Sequence, residues 1–149
     1  MKTYIMRWNP AISSYKLETF RKDIAKWPNG FQIDWSIYEW EDAEEGDAYI
    51  MVRVGEEPNG VVFSGIFLSV PYENDDWAGT SKKRHYVDVT VEPPFDPDFP
   101  SITAEQLEAV LPEINWRKGH SGQLMTKEQE SKFWDAFSDV LNTPCIIEI

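Results

Sequence analysis

The chain has 149 residues, 42% apolar and 27% charged, enough for a real hydrophobic core and in the proportions of a water-soluble globular domain. A net charge of −12 argues against a protein that coats nucleic acid through phosphate contacts, which needs a positive face, but leaves room for a reader of one base in a pocket. No apolar run has the length of a membrane span, no signal-peptide order is present, and the single cysteine, Cys145, excludes an internal disulfide and predicts a reducing, cytoplasmic setting.

Residues 2–8 read as a first strand, closed by Asn9-Pro10. Ser13 or Ser14 can cap a helix whose apolar face is Leu17, Phe20 and Ile24, and Pro28-Asn29-Gly30 stops it. In FQIDWSIYEW the apolar Phe31, Ile33, Trp35 and Ile37 alternate with polar neighbours, the period of a half-buried strand. An acidic loop follows, holding Glu39, Glu41, Asp42, Glu44, Glu45 and Asp47. AYIMVRV is a more continuously apolar strand, residues 56–60 carry a hairpin signature, and VVFSGIFLSV is the next strand. Gly65 in its middle predicts a bulge or a close backbone approach. Residues 71–81 read as polar loop around Trp77, and HYVDVTV as another alternating strand.

After a proline-rich connection, Thr103 and Gln106 form a capping box, with Ile102 and Leu107 placed as a hydrophobic staple. Thr126 and Gln129 repeat the capping box for a helix whose stripe of Phe133, Trp134, Phe137, Val140 and Leu141 is core. Asn142 and Pro144 end it, and CIIEI is a short last strand with Cys145 as a small core residue. Strands in succession with helices grouped at the ends predict an α+β fold over 1–149 with no domain boundary. Five or six strands could curl into a barrel-like sheet that hides its edges.

Trp116 to Met125, between the two capped helices, combines an aromatic, cations, a histidine and a serine between glycines. Connections carry binding residues more often than the elements they join. Ser121 and Gly122 can meet a ligand closely and Trp116 offers a flat face, although a plain tight turn has the same composition. Trp77, apolar among polar residues, needs a reason. Trp35 and its neighbour Ser36 suit core or pocket. Cations gather as Lys82, Lys83, Arg84 and His85, and as Arg117, Lys118 and His120, against a background of ordinary solvated surface.

No phosphate loop, dinucleotide fingerprint or nucleophile elbow is present, and two histidines and one cysteine far apart do not make a zinc site. The expected complement of catalytic residues, cofactors and metals is none.

RWNP, DWS, GD opening a strand, GVVFSGIFLSVPY followed by Trp77 and a YV strand, and a threonine-capped helix leading to W…GHSGQL occur in that order. Together they resemble the PUA-like superfamily, in particular its EVE-type branch, over Met1 to about Met125. The resemblance implies a mixed, mostly antiparallel pseudobarrel of five or six strands flanked by about three helices. It implies a pocket for a modified nucleobase, such as a methylated cytosine, of DNA or RNA. Ser121 and Gly122 would line it, with Trp35, Ser36, Trp77 and Trp116 as further walls. The strong acidity departs from the pattern of a DNA reader. If Lys82, Lys83, Arg84, Arg117, Lys118 and His120 neutralise three or four phosphates, weak binding falls with salt at a slope of about −3. Two other readings stay open. A nucleic-acid-directed hydrolase would need a lysine or carboxylate beside Ser121. An acidic protein-interaction domain using the 39–47 loop would have no pocket, with Trp77 and Trp116 packed inside.

Overall fold

The computed structural model describes residues 1–141. The predicted last strand, Cys145 and the Asn142/Pro144 stop lie outside them. In chain order the elements are β1 (Thr3–Trp8), α1 (Leu17–Lys26), β2 (Phe31–Ser36), β3 (Ala48–Arg53), β4 (Gly60–Ile66), β5 (Tyr72–Asp75), β6 (Lys83–Val91), β7 (Ile102–Thr103), α2 (Ala104–Val110), β8 (Gln123–Leu124) and α3 (Lys127–Phe137). One sheet has the order β7-β4-β3-β1-β8 and the other β2-β6-β5. Only β1 and β3 run parallel, so the sheets are mixed but mostly antiparallel.

β1 and β3 are the hub because both of their faces are covered. Tyr4, Met6 and Trp8 point into a core shared with β2, β4, β6 and α1, while Ile5 points into a second core beneath α2 and α3. That is why β3 reads as a more continuously apolar run and β2 as an alternation. The two sheets meet where β4 and β6 cross, with bridges at Ser64↔Glu92 and Phe67↔Val89. The result is the expected α+β pseudobarrel, an open seam between two sheets rather than a closed cylinder.

Both capping boxes form as the spacing predicts, with Thr103 and Thr126 accepting from the Gln106 and Gln129 amides. The first helix differs. Its N-cap is Lys16, without a side-chain cap, while Ser13 accepts a hydrogen bond from the Tyr15 amide instead. β5 lies in the stretch 71–81 that the sequence presents as polar loop. It is an exposed strand paired to β6 from Tyr72↔Tyr86 to Asp75↔Lys83, and it carries Trp77 at its end. No helix of the described residues is long and apolar enough to cross a membrane.

The buried tyrosines make alkaline stability a test of this packing. Burial, with Asp47 nearby, pushes Tyr4 up to about 12, and burial raises Tyr49 as well. The unfolded chain releases these protons near pH 10 and the folded chain does not. Stability is therefore fully present below pH 10 and is lost as pH rises from 10 through 12. Urea midpoints measured at pH 8, 10 and 11 are expected to be level and then fall; a flat series to pH 11 contradicts the packing.

Candidate functional site

The fold leaves a cavity of about 530 Å³ at the C-terminal end of β1. Its floor is built by strand register and one turn. Trp8 ends β1, Trp35 lies on β2, and Tyr15 sits in the turn before α1. Asn9 shapes that turn, its carbonyl accepting the Ile12 and Ser13 amides and its side chain the Ala11 amide. The three rings meet edge to face or tilted, with centroids 5.8 Å (Trp8–Tyr15), 5.9 Å (Tyr15–Trp35) and 6.5 Å (Trp8–Trp35) apart.

Their polar ends are already satisfied. Trp8 Nε1 donates to the Tyr15 carbonyl at 2.8 Å, Trp35 Nε1 to the Arg7 carbonyl at 3.2 Å, and the Tyr15 hydroxyl to Asp23 at 2.6 Å. Trp8 is 1% and Trp35 9% exposed, so the apolar ring surface left toward the cavity comes chiefly from the half-buried Tyr15, held rigidly against the other two. Polar lining comes from Gln32, Asp34 and Ser36 on β2 and from Ser121. Trp77 stands over the opening, 39% exposed. Its amide donates to the Tyr86 hydroxyl at 2.7 Å, and the Arg84 guanidinium lies 5.9 Å from its ring.

Trp35, Ser36, Trp77 and Ser121 therefore line one cavity. Ser121 does so as a structural tie. Its Oγ accepts the Arg7 amide at 3.0 Å and its carbonyl the Tyr38 amide at 2.8 Å. Gly122 is not a wall. Its amide donates to the Ile5 carbonyl at 2.8 Å and its carbonyl accepts from Glu39 at 3.0 Å, so it rivets β1 to the 37–39 segment. A Cβ there would lie 2.7 Å from the Ile37 Cα, at a φ of +90°, which is why the position is glycine.

Trp116 is not a wall either. It is buried in the core beneath α2 and α3, its Nε1 donating to the Leu111 carbonyl at 2.9 Å. An aromatic in a short connection was free to point either way, and the large apolar surface of the second core claimed it.

The cations are also redistributed. Arg117 is held by Glu57 at 2.5 Å, Glu105 at 2.8 Å and Glu108 at 3.1 Å; the bonds to Glu108 and Glu105 raise its pKa, and the three carboxylates already occupy its charge. Lys83 pairs with Asp75 at 2.5 Å and Arg84 with Asp76 at 2.6 Å. The Thr80 hydroxyl and Ala78 amide, with Arg84 adding to them, hold the Asp76 carboxyl below its ordinary range. Lys82 and Lys118 have no ion-pair partner among the described residues. His120 stacks on Tyr38 at 4.5 Å.

Arg7 is the residue that sequence reasoning missed. Its guanidinium is buried, donating to the carbonyls of His120 (2.6 Å) and Asn115 (2.8 Å) and to Gln123 Oε1 (2.7 Å). Burial lowers its pKa from the ordinary arginine value, and no carboxylate lies within ion-pair distance among the described residues. The available signal was a charge inside an otherwise apolar strand. Tyr15, Gln32 and Tyr86 carried no comparable signal.

No family model matches the sequence, and no curated protein sequence matches it. Solved structures share the fold. Human THYN1 protein in complex with 5-methylcytosine-containing DNA superposes with a TM-score of 0.62 at 12% identity, over 91% of this chain and 97% of that one. A hypothetical protein from Leishmania major gives 0.61 at 11% identity, over 93% and 96%. A protein from Pseudomonas syringae gives 0.56 at 13%, over 90% and 98%. At these identities the likeness is one of fold.

Proposed function

We propose, from the premise of a PUA-like, EVE-type fold, that the chain is a non-enzymatic binding module that takes a modified nucleobase, such as a methylated cytosine, into the cavity above Trp8, Tyr15 and Trp35. The observation that carries this reading is the cavity itself. Its volume, about 530 Å³, lies in the range of small-molecule sites, and it sets polar groups from β2, from the turn before α1 and from the Ser121 loop around an aromatic floor. The 5-methylcytosine DNA bound by the similarly folded human protein supports the choice of ligand class.

Magnitudes favour an unpaired base. Extrusion from a duplex costs a few kcal/mol, about what one or two ring stacks return at roughly 1–3 kcal/mol per base. Phosphate contacts must supply the remainder, and this chain has few to give. With Arg117 tied to three glutamates and Lys83 and Arg84 each tied to one aspartate, about two phosphates can be neutralised. The salt slope on a single strand is therefore expected near −1.5 rather than −3. A slope of −3 or steeper, measured by fluorescence titration between 50 and 200 mM salt, contradicts the charge pairing described above.

The other readings lose their supports. A carboxylate, Asp34, does line the cavity with Ser121, but the Ser121 hydroxyl is occupied by the Arg7 amide and Met6, and among the described residues neither Asp34 nor a lysine is bonded to it. The pocketless protein-interaction reading required both Trp77 and Trp116 inside; Trp116 is, but Trp77 stands outside at an open cavity.

Trp77→Ala tests the site. The side chain is partly exposed, so thermal stability is expected to change by about 0.5 kcal/mol or less. Affinity for the modified nucleoside, read by quenching of the remaining tryptophans, is expected to fall five- to hundredfold. Equal affinity of variant and parent would remove Trp77 from the site, and no response to any of a panel of modified and unmodified nucleosides would end the proposal.

A further inference from the structure

A second cavity, about 400 Å³, adjoins the first and shares Ser36, Arg84, His120 and Ser121 with it. Its construction differs. Tyr38 and Trp40, 64% and 38% exposed, each lie parallel to a histidine ring. Tyr38 stacks on His120 at 4.5 Å and Trp40 on His85 at 3.8 Å, both with 10° between planes. Exposed aromatics normally tumble in solvent. Here the imidazoles hold each ring at a fixed tilt. Lys82, without an ion-pair partner among the described residues, and Arg84 line the same space.

Resting on the nucleobase reading of the first cavity, we infer that this second cavity seats the nucleotide next to the pocketed base, so that the ligand is a single strand of at least two nucleotides rather than a free nucleoside or an intact duplex. Two features commit the occupant. The cavity adjoins the first and shares Arg84 and His120 with it, the positions where the linking phosphate would pass. Arg84 is held by Asp76 in the same lining, but Lys82, without an ion-pair partner among the described residues, complements that phosphate in a protein whose net charge is −12. A neighbouring base can use the Tyr38 and Trp40 rings only when it is not stacked in a helix, which selects unpaired strands.

The test compares three probes on the full chain: 5-methyl-2′-deoxycytidine, the single-stranded trinucleotide with that residue between two thymidines, and the same sequence inside a duplex. The trinucleotide is expected to bind about tenfold more tightly than the nucleoside, and the duplex more weakly than the trinucleotide. Trp40→Ala, and separately Tyr38→Ala, should each erase part of that gain while leaving the nucleoside's affinity unchanged; Trp77→Ala should weaken both ligands. A nucleoside that binds while the trinucleotide gains nothing overturns this inference alone, as does a Trp40→Ala and Tyr38→Ala pair that leaves the gain intact. A protein that binds none of the three overturns this inference and the choice of methylcytosine, and if the nucleoside panel is also silent the nucleobase reading falls with it.

Discussion

Arg7→Met is expected to lower the unfolding free energy by about 3 kcal/mol and to loosen the loop that walls the cavity. The guanidinium donates to three acceptors that belong to one connection, the His120 and Asn115 carbonyls and the Gln123 side chain. A hydrogen bond from a charged donor contributes about 1.5–3 kcal/mol, and a buried acceptor left alone costs about 1–3 kcal/mol. Against this stands the desolvation of an arginine without a carboxylate partner, which methionine would relieve. The first effect wins because one substitution removes three part-buried hydrogen bonds from a charged donor, even though water can reach some of the acceptors. Arg7→Lys should recover little, since an ammonium cannot span three acceptors set for a planar fork.

The consequence for the site follows from the same bonds. The Tyr38 and Glu39 amides donate to the Ser121 and Gly122 carbonyls, so their hydrogen-exchange protection should fall in Arg7→Met more than that of the β3 amides. Denaturant unfolding of the variant within 1 kcal/mol of the parent, with those two amides still protected, would contradict the role given to Arg7.

What could be read in advance divides along a physical line. The capping boxes at Thr103 and Thr126 rest on groups three residues apart, and both formed as read. The parallel pairing of β1 with β3 could not be read, because it joins residues about 45 positions apart. Trp77, which lines the cavity, is conspicuous in the sequence because an apolar ring among polar neighbours is locally anomalous. Trp116 was misplaced because its local surroundings, a short polar connection, say nothing about the core lying beneath it. The cation cluster failed for a related reason: one of the carboxylates that holds Arg117 is Glu57, far away in sequence. The exposed β5 carries no alternation, since neither of its faces is buried, and so left no period to detect.

Gly65 was legible in kind and is expected to show the other large effect. The strand irregularity falls between Met51 and Val52, so Gly65 marks a close approach rather than the bulge itself. A Cβ there would lie 2.2 Å from the Thr90 carbonyl oxygen and 2.4 Å from its hydroxyl. Backbone of β6 stands in the way, not the movable end of a side chain. The same Thr90 binds the sheets together, accepting from the Ile66 amide at 2.9 Å through its hydroxyl and from the Tyr49 hydroxyl through its carbonyl. An added methyl must therefore push β4 from β6 and stretch the seam. Overpacking of this kind costs about 1–3 kcal/mol, and the upper end or beyond is expected here because two backbones must separate.

Gly46→Ala supplies the comparison. Gly46 has a φ of +92° but nothing within 4 Å of an added Cβ, so it reports conformational strain without a clash, about 1 kcal/mol. Gly65→Ala should exceed it in denaturant unfolding. It should also weaken ligand binding, because Trp35 is carried by the β2-β6-β5 sheet and Trp8 by the other, and the cavity floor exists only while the seam holds them together. Equal costs for the two substitutions, or a destabilised Gly65→Ala that binds the nucleoside as the parent does, would show that the seam does not set the spacing of the floor.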